Sequence, residues 1–163
     1  MATAGKQTQA AGEAPSALPM DDSLFFKLVR IVNLTARPFG ESIGHANKLS
    51  LTEWRVMIVL ASHPGCAAQE VASYTGLDKM SVSRALAGLA RQGRIARRAD
   101  PDDKRRVLIT LSAAGERVYE RIGVSGKARE NDLFSVLGTA EQTRLARTLD
   151  KLIAHRLSAD APG

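Results

Sequence analysis

The segment from Asp78 to Leu111 constrains the fold more than any other part of the chain. A short amphipathic helix pattern, DKMSVSRALAGLARQG, ends at Gly93, and two strand-like runs, 94–98 and 106–111, then flank a charged tip that contains Pro101. Between Arg91 and Arg106 there are seven Lys or Arg residues against three Asp residues. A helix followed by a hairpin with a basic tip can lie in the major groove of DNA, with the hairpin reaching toward the neighbouring minor groove.

Composition limits the fold class and the kind of partner. Hydrophobic residues make up 44% of the 163 positions but aromatic residues only 4%, so the core must be mostly aliphatic, which favours helices. The formal net charge of +6 suggests a polyanionic partner but does not separate DNA from RNA or an acidic membrane surface. A single Cys66 excludes an internal disulfide and fits a reducing compartment. No run approaches the roughly 18 apolar residues of a membrane span, so we expect a cytoplasmic protein without a membrane partner.

Caps and helix breakers divide the chain into five predicted parts. Residues 1–20 form a disordered leader, 21–48 an N-terminal dimerisation helix, 49–112 a DNA-binding lobe, 113–158 C-terminal dimerisation helices, and 159–163 a flexible tail. Two short helices joined by the turn at Thr75-Gly76 form a helix-turn-helix, and the hairpin after it is a wing. The fold is therefore predicted to be mainly α (α+β), a winged helix-turn-helix. Its terminal helices carry more apolar surface than the small lobe can cover, which predicts a symmetric homodimer.

Local signals set the expected helix ends. The first helix begins near Leu24, capped by residues 21–23, and Pro38 should kink or interrupt it. We predict that Thr52 caps the next helix and that Ser112 caps the helix after the wing. Thr139 is predicted to cap the last helix, which begins at Glu141. A long helical stretch after Ser112 is predicted to be interrupted near Gly123–Gly126.

Three stretches resemble the MarR family of winged helix-turn-helix transcriptional regulators. LTEWRVM at 51–57 is similar to the LTxxQWxVL helix start, with Glu53 where Gln or another polar residue often stands. DKMSVSR at 78–84 is similar to the start of the recognition helix, with Ser81 and Ser83 where Thr is frequent. DPDDKRR at 100–106, ending in LSAAG at 111–115, resembles the wing signature DPxDxR…LTxxG and is the most specific match.

The resemblance implies which residues meet DNA, and their chemistry agrees. At the DNA end of the recognition helix, small hydroxyl groups allow close approach and Arg84 can read guanine; Val82, Leu86 and Leu89 should face inward. Arg105 should enter the minor groove, and Asp103 should either orient it or tie the wing to the lobe. Arg97, Arg98, Lys104 and Arg106 are either phosphate contacts or plain surface. The full predicted DNA set is Lys79, Ser81, Ser83, Arg84, Arg97, Arg98, Asp103, Lys104, Arg105 and Arg106.

A dimer of such lobes implies double-stranded DNA with an inverted repeat, its half-sites about 10 base pairs apart. Repression by excluding polymerase is the expected outcome, and activation stays open. The sequence holds no HExxH, P-loop, CxxC or nucleophile elbow, so an enzyme is not expected and no cofactor or metal is implied. A winged helix can also bind RNA or another protein, and this alternative stays open.

Members of the family often bind a small, commonly aromatic and anionic effector between the dimerisation helices and the lobe. An arginine and a histidine near aromatic rings suit a planar carboxylate. The predicted ligand set is Arg30, Asn33, Arg37, Phe39, His45, Trp54 and Arg55, although each taken alone could be a surface, loop or core residue. Cys66 offers a redox-responsive alternative, but it lies after Gly65 and not near the start of the first helix, where thiol-switched relatives carry their cysteine.

Overall fold

The computed structural model of the protein describes residues 20–159. Almost all of the predicted leader and tail therefore lie outside the described residues. The elements, in chain order, are α1 (Leu24–Pro38), a π-helical segment (Phe39–Gly44), α2 (His45–Asn47), α3 (Leu51–Ser62), α4 (Ala68–Thr75), α5 (Lys79–Arg91), β1 (Ile95–Ala99), β2 (Val107–Leu111), α6 (Ala113–Phe134) and α7 (Thr139–Ala159). The predicted fold class, mainly helical with a two-stranded wing, is confirmed.

Helix α1 begins and ends as its sequence predicts. The side chain of Ser23 accepts a hydrogen bond from the backbone N–H of Phe26, so Ser23 is the N-cap. The α-helix ends at Pro38, where a ring without an N–H cannot continue the hydrogen-bond ladder. The chain then widens into the π-helical segment, a feature that the sequence analysis did not predict.

Helix α3 is capped by Ser50, and the prediction that Thr52 caps it is wrong. The Ser50 hydroxyl accepts from the Glu53 backbone N–H at 3.1 Å, and the Glu53 carboxylate accepts from the Ser50 N–H at 2.7 Å. This reciprocal capping box satisfies two helix-end donors, so the helix starts at Leu51 and Thr52 lies inside it. One face of the helix then enters the core, where Val56 and Met57 are fully buried.

Helices α4 and α5 form the helix-turn-helix. Gly76 ends α4 with a positive φ of 66°, a conformation that costs glycine little. Asp78 then caps α5 by accepting from the Ser81 N–H at 2.8 Å. Both helices pack on α3.

Strands β1 and β2 form the antiparallel wing, with Ile95 opposite Leu111 and Ala99 opposite Val107. An isolated β-bridge joins the wing to the lobe. Ile109 pairs with Cys66 and accepts from the Gly65 N–H at 2.9 Å while donating to the Cys66 carbonyl at 3.1 Å. The base of the hairpin is therefore fixed to the segment between α3 and α4.

Helix α6 starts at the predicted cap, since the Ser112 hydroxyl accepts from the Gly115 N–H at 3.1 Å. The predicted interruption near Gly123–Gly126 is wrong, because α6 is continuous from Ala113 to Phe134. A helical glycine costs about 1 kcal/mol relative to alanine, which tertiary packing can offset. Thr139 is the first residue of α7 and not its cap. Gly138 occupies the capping position, and its N–H donates to the Glu141 carboxylate at 2.8 Å.

The terminal helices expose apolar side chains in large numbers. On α1, Leu24 and Phe25 are each 77% exposed, and on α7 Leu152, Ile153 and Leu157 are all at least half exposed. The core, by contrast, lies inside the lobe, among α3, α4, α5 and the wing. Within residues 20–159, no helix is both long and apolar enough to cross a membrane.

Candidate nucleic-acid interface

The recognition helix α5 has one buried side and one open side. Val82, Leu86 and Leu89 are at most 2% exposed, which confirms their predicted inward orientation. Lys79, Ser83 and Arg84 lie on the exposed side. The helix is thus held by its apolar residues while its polar residues stay available to a partner.

A chain of three polar side chains lies at the start of α5. The Ser81 hydroxyl donates to the Asp78 carboxylate at 2.6 Å, and Arg84 donates to the Ser81 oxygen at 3.5 Å. Hydrogen bonds from Ser81 hold the pKa of the Asp78 carboxyl below its ordinary value. Ser81, predicted to meet DNA, therefore also positions Arg84.

A cleft of about 870 Å³ lies between α4, α5 and the wing, and we call it the wing cleft. It gathers half of the predicted DNA residues: Ser83, Arg97, Asp103, Arg105 and Arg106. Side chains of α4 that the sequence analysis did not single out also line it, namely Gln69, Glu70 and Ser73. Their only sequence signal was their place on the first helix of a helix-turn-helix, an element that commonly crosses the DNA backbone.

The tip of the wing is ordered by its own acids. The Asp103 carboxylate accepts from the Arg105 backbone N–H at 2.9 Å, and the Asp103 carbonyl accepts from the Arg106 N–H at 2.9 Å. Asp100 accepts from the Asp102 N–H at 3.0 Å. Of the two roles predicted for Asp103, the structure shows it orienting the backbone at Arg105, whose side chain stays exposed.

An ion pair made by Arg106 also joins the wing to the lobe. Its guanidinium lies 2.7 Å from the Glu70 carboxylate of α4 and 3.7 Å from the Asp100 carboxylate. Glu70 also accepts from the Ala67 backbone N–H at 2.7 Å. This backbone hydrogen bond, aided by Arg106, holds the pKa of the Glu70 carboxyl below its ordinary value.

The remaining predicted DNA residues lie outside the wing cleft. Ser81 and Arg84 line a smaller groove of about 340 Å³ between α5 and the start of α3, together with Thr52 and Arg91. Lys79, Arg98 and Lys104 are exposed and line neither groove.

A second cleft, of about 290 Å³, lies between α1, α3 and α6, and we call it the aromatic cleft. Phe39 stacks on Trp54 with ring centres 6.1 Å apart, and Trp54 stacks on Tyr119 at 5.4 Å. Two cations, Arg55 and Arg129, stand at its wall. The cleft brings together only three of the seven predicted ligand residues: Phe39, Trp54 and Arg55.

The other four predicted ligand residues, Arg30, Asn33, Arg37 and His45, do not line the aromatic cleft. Arg30, Asn33 and Arg37 are exposed on α1, and His45 is exposed at the start of α2. Arg129 was missed because it is far in sequence from the cleft residues of α1 and α3, and only the course of α6 brings it there.

Asn47 links the N-terminal segment to the lobe. Its backbone carbonyl accepts from the guanidinium of Arg94, which lies in the turn between α5 and β1, and its side-chain oxygen accepts from Arg121 of α6 at 2.9 Å. Burial lowers the pKa of Arg94; nearby Glu53 opposes that shift and the Arg121 charge adds to it. The Nη1 atom of Arg94 is buried with no hydrogen-bond partner among the described residues.

Cys66 has the environment of a structural thiol. Its side chain is 7% exposed, and burial, together with the charge of Glu70, raises the pKa of the thiol. A buried thiol with a raised pKa forms little thiolate, which is the reactive species. The redox alternative therefore finds no support here. No group of three or more potential metal ligands occurs within residues 20–159.

Known transcriptional regulators resemble this chain, and the resemblance includes the lobe. A family model described as "MarR family" matches residues 47–106, which run from Asn47 through α3, α4, α5 and β1 to the tip of the wing. The HTH-type transcriptional regulator FarR of Neisseria gonorrhoeae is 29% identical over 108 residues, covering 65% of this chain and 74% of the relative. The homoprotocatechuate degradative operon repressor of Escherichia coli is 23% identical over 146 residues, covering 88% and 98%.

A solved structure also matches the fold of this chain. The crystal structure of a probable transcriptional regulator from Pseudomonas aeruginosa superposes with a TM-score of 0.70 at 29% identity, covering 82% of this chain and 99% of that one. The proteins that resemble this chain are transcriptional regulators and not enzymes.

Proposed function

We propose that this chain, whose residues 47–106 match a model of the MarR family, is a MarR-type transcriptional regulator that acts as a homodimeric, sequence-specific repressor. In this proposal the dimer binds an inverted-repeat operator in duplex DNA and is released from it by a small aromatic carboxylate. The regulators that it resembles include a repressor of an aromatic-acid degradative operon, which supports the choice of repression.

The wing cleft is the observation that carries the DNA-binding proposal. It joins the open side of the recognition helix, at Ser83, to the basic wing, at Arg97 and Arg105, in one concave surface. A helix in the major groove beside an arginine in the minor groove requires these two elements to lie side by side. The exposed apolar faces of α1 and α7 support the dimer, because together they offer the kind of surface that a stable partner covers.

The first prediction concerns Arg105. We expect Arg105→Ala to weaken binding to duplex DNA by about 1–3 kcal/mol without lowering the melting temperature, because its side chain is exposed. The duplex is obtained by selecting tight binders from a random-sequence pool with the wild-type protein. Affinity is then measured by fluorescence anisotropy at several salt concentrations.

Arg117→Ala is the matched control, since it removes the same charge from an exposed position on α6, outside both grooves at the DNA face. An Arg105→Ala protein that binds as tightly as the control, with the same salt dependence, would contradict the assignment of the wing tip.

The second prediction concerns the effector. The stacked rings of Phe39 and Trp54 offer a flat apolar wall, and Arg55 and Arg129 offer the cations that a carboxylate needs. We expect Arg55→Gln and Arg129→Gln each to weaken binding of an aromatic carboxylate about tenfold, the loss of one charge-assisted hydrogen bond. Isothermal titration calorimetry with a panel of benzoates and phenylacetates measures this.

Arg30→Gln is the control for the effector, because Arg30 is exposed on α1 outside the cleft. Equal loss of binding in Arg30→Gln would place the ligand elsewhere, in the larger set of residues predicted from the sequence. The ligand can release DNA only if it binds the conformation that does not bind DNA more tightly than the conformation that does.

A further inference from the structure

The wing cleft contains a carboxylate that faces the proposed DNA surface. Glu70 lines the cleft beside Arg97 and Arg105, and its side chain is 45% exposed. An uncompensated carboxylate there would repel the phosphates of any duplex entering the cleft. Glu70 is not uncompensated, because the guanidinium of Arg106 lies 2.7 Å from it.

One oxygen of Glu70 accepts two hydrogen bonds. Its Oε2 atom accepts from the Ala67 N–H, which starts α4, and from Arg106 Nη2, which belongs to the wing. The same oxygen therefore joins the first helix of the helix-turn-helix to the hairpin. Arg106 is held from a second side by Asp100 of the wing, at 3.7 Å, so two carboxylates already bind its guanidinium and compete with a phosphate for it.

We propose that Arg106 and Glu70 are positioning residues for DNA binding: Arg106 does not contact a phosphate but neutralises Glu70 and sets the distance between the wing and the recognition helix. This inference rests on the proposed function and gives Arg106 a third role, since the sequence predicted it to be either a phosphate contact or plain surface. The neighbouring Arg105 has its backbone fixed by Asp103 but no carboxylate partner for its side chain within residues 20–159. The two adjacent arginines thus have different roles.

A double-mutant cycle separates positioning from phosphate contact. The proteins are wild type, Arg106→Gln, Glu70→Gln and the double variant, and the probe is the duplex selected with the wild-type protein. Gln at position 70 can still accept from the Ala67 N–H through its amide oxygen, so the start of α4 is preserved. We expect Arg106→Gln to weaken binding about fivefold in the wild-type background and less than about twofold in the Glu70→Gln background.

The salt dependence of DNA affinity is a second measurement, and a loss of folding stability alone would not change it. A residue that neutralises a phosphate contributes about 0.9 to the slope of log affinity against log salt. We expect Arg106→Gln to leave this slope unchanged. Arg105→Gln is the matched control, with the same charge change one residue away, and we expect it to lower the slope and to cost the same affinity in both Glu70 backgrounds.

An Arg106→Gln effect of equal size in both backgrounds, with a reduced salt slope, would overturn the inference and make Arg106 a phosphate contact. Failure of the proposed function looks different, because wild type would then select no duplex or Arg105→Gln would bind normally. If Arg106→Gln melts below the assay temperature, Arg106→Lys replaces it. Lysine keeps the charge but lacks the planar fork, and its cost should again depend on Glu70.

Discussion

At the scale of single residues, two glycines of α6 show how differently the same residue type can be used. An added Cβ at Gly115 would lie 2.1 Å from the Arg94 carbonyl oxygen, which is backbone in the turn between α5 and the wing. An added Cβ at Gly123 would meet nothing within 4 Å. Gly115 therefore allows α6 to pack against the wing turn, whereas Gly123 has no such contact.

The third prediction follows from this contrast. We expect Gly115→Ala to lower the free energy of unfolding by about 1–3 kcal/mol, because a backbone atom cannot move aside as a flexible side chain does. Gly123→Ala should raise it by up to about 1 kcal/mol, since alanine is the better helix former. Urea unfolding followed by circular dichroism measures both, and similar effects in the two variants would contradict the packing at Gly115.

Glu53 and Gly88 make a comparable close contact that sequence patterns do not reveal. The Glu53 carboxylate is 9% exposed, and a Cβ at Gly88 would lie 2.1 Å from its Oε1 atom. Glu53 looked like an ordinary polar substitution in a family motif. Its role in the capping box of α3 is local, but its contact with α5 depends on a neighbour 35 positions away.

At the scale of elements, α4 and α5 each have a carboxylate, in the first turn of α4 and at the N-cap of α5, that accepts from a backbone N–H group at the start of the helix. Glu70 accepts from the Ala67 N–H and Asp78 from the Ser81 N–H, and both carboxyl groups have a lowered pKa. A carboxyl group whose pKa is lower in the folded protein stabilises the fold above its unfolded pKa. That contribution is lost as the pH falls through the folded pKa.

The fourth prediction is a pH dependence. Ordinary values are 4.5 for Glu70 and 3.8 for Asp78, so their stabilising effect should be complete at neutral pH and decline from about pH 5 downward. We expect a Glu70→Gln/Asp78→Asn variant to lose less unfolding free energy than wild type between about pH 5 and 3. Chemical denaturation across that range measures it, and parallel curves for the two proteins would contradict the assignment.

The ends of several elements could be predicted from local signals. Ser23 and Ser112 cap their helices through hydrogen bonds to N–H groups three residues away, and Pro38 ends α1. The interruption predicted near Gly123–Gly126 failed because packing along α6 outweighs the modest cost of helical glycine. Thr52 was mistaken for a cap because Ser50 and Glu53 form the better reciprocal pair.

The links between elements could not be predicted, because their partners are far apart in sequence. Asn47 joins Arg94 and Arg121, which are 47 and 74 positions away, and Arg106 reaches Glu70 across 36 positions. Charge and periodicity placed Arg106 at the start of the second wing strand, one residue before β2 begins. They gave no way to decide whether its guanidinium faces solvent, a phosphate or a carboxylate.

At the scale of the whole molecule, the chain divides into a well-packed lobe and terminal helices that are not covered. The buried side chains lie mainly in the lobe, while α1 exposes eight large apolar residues, Leu24, Phe25, Phe26, Leu28, Val29, Ile31, Val32 and Leu34. A partner covering this surface accounts for their exposure, and a second copy of the chain is the simplest one. Asn47 lies at the junction, where its carbonyl accepts from Arg94 in the turn that follows the recognition helix.

The central claim is that two copies of the lobe hold one DNA duplex, each with α5 and an arginine-tipped wing. The most direct test is the mass of the complex between the protein and the selected duplex, measured by native mass spectrometry, with RNA of the same sequence in a parallel sample. We predict one duplex bound by two chains of 17.5 kDa each, and an inverted repeat in the selected sequence. A single chain per duplex, or equal binding to the RNA, would contradict the account.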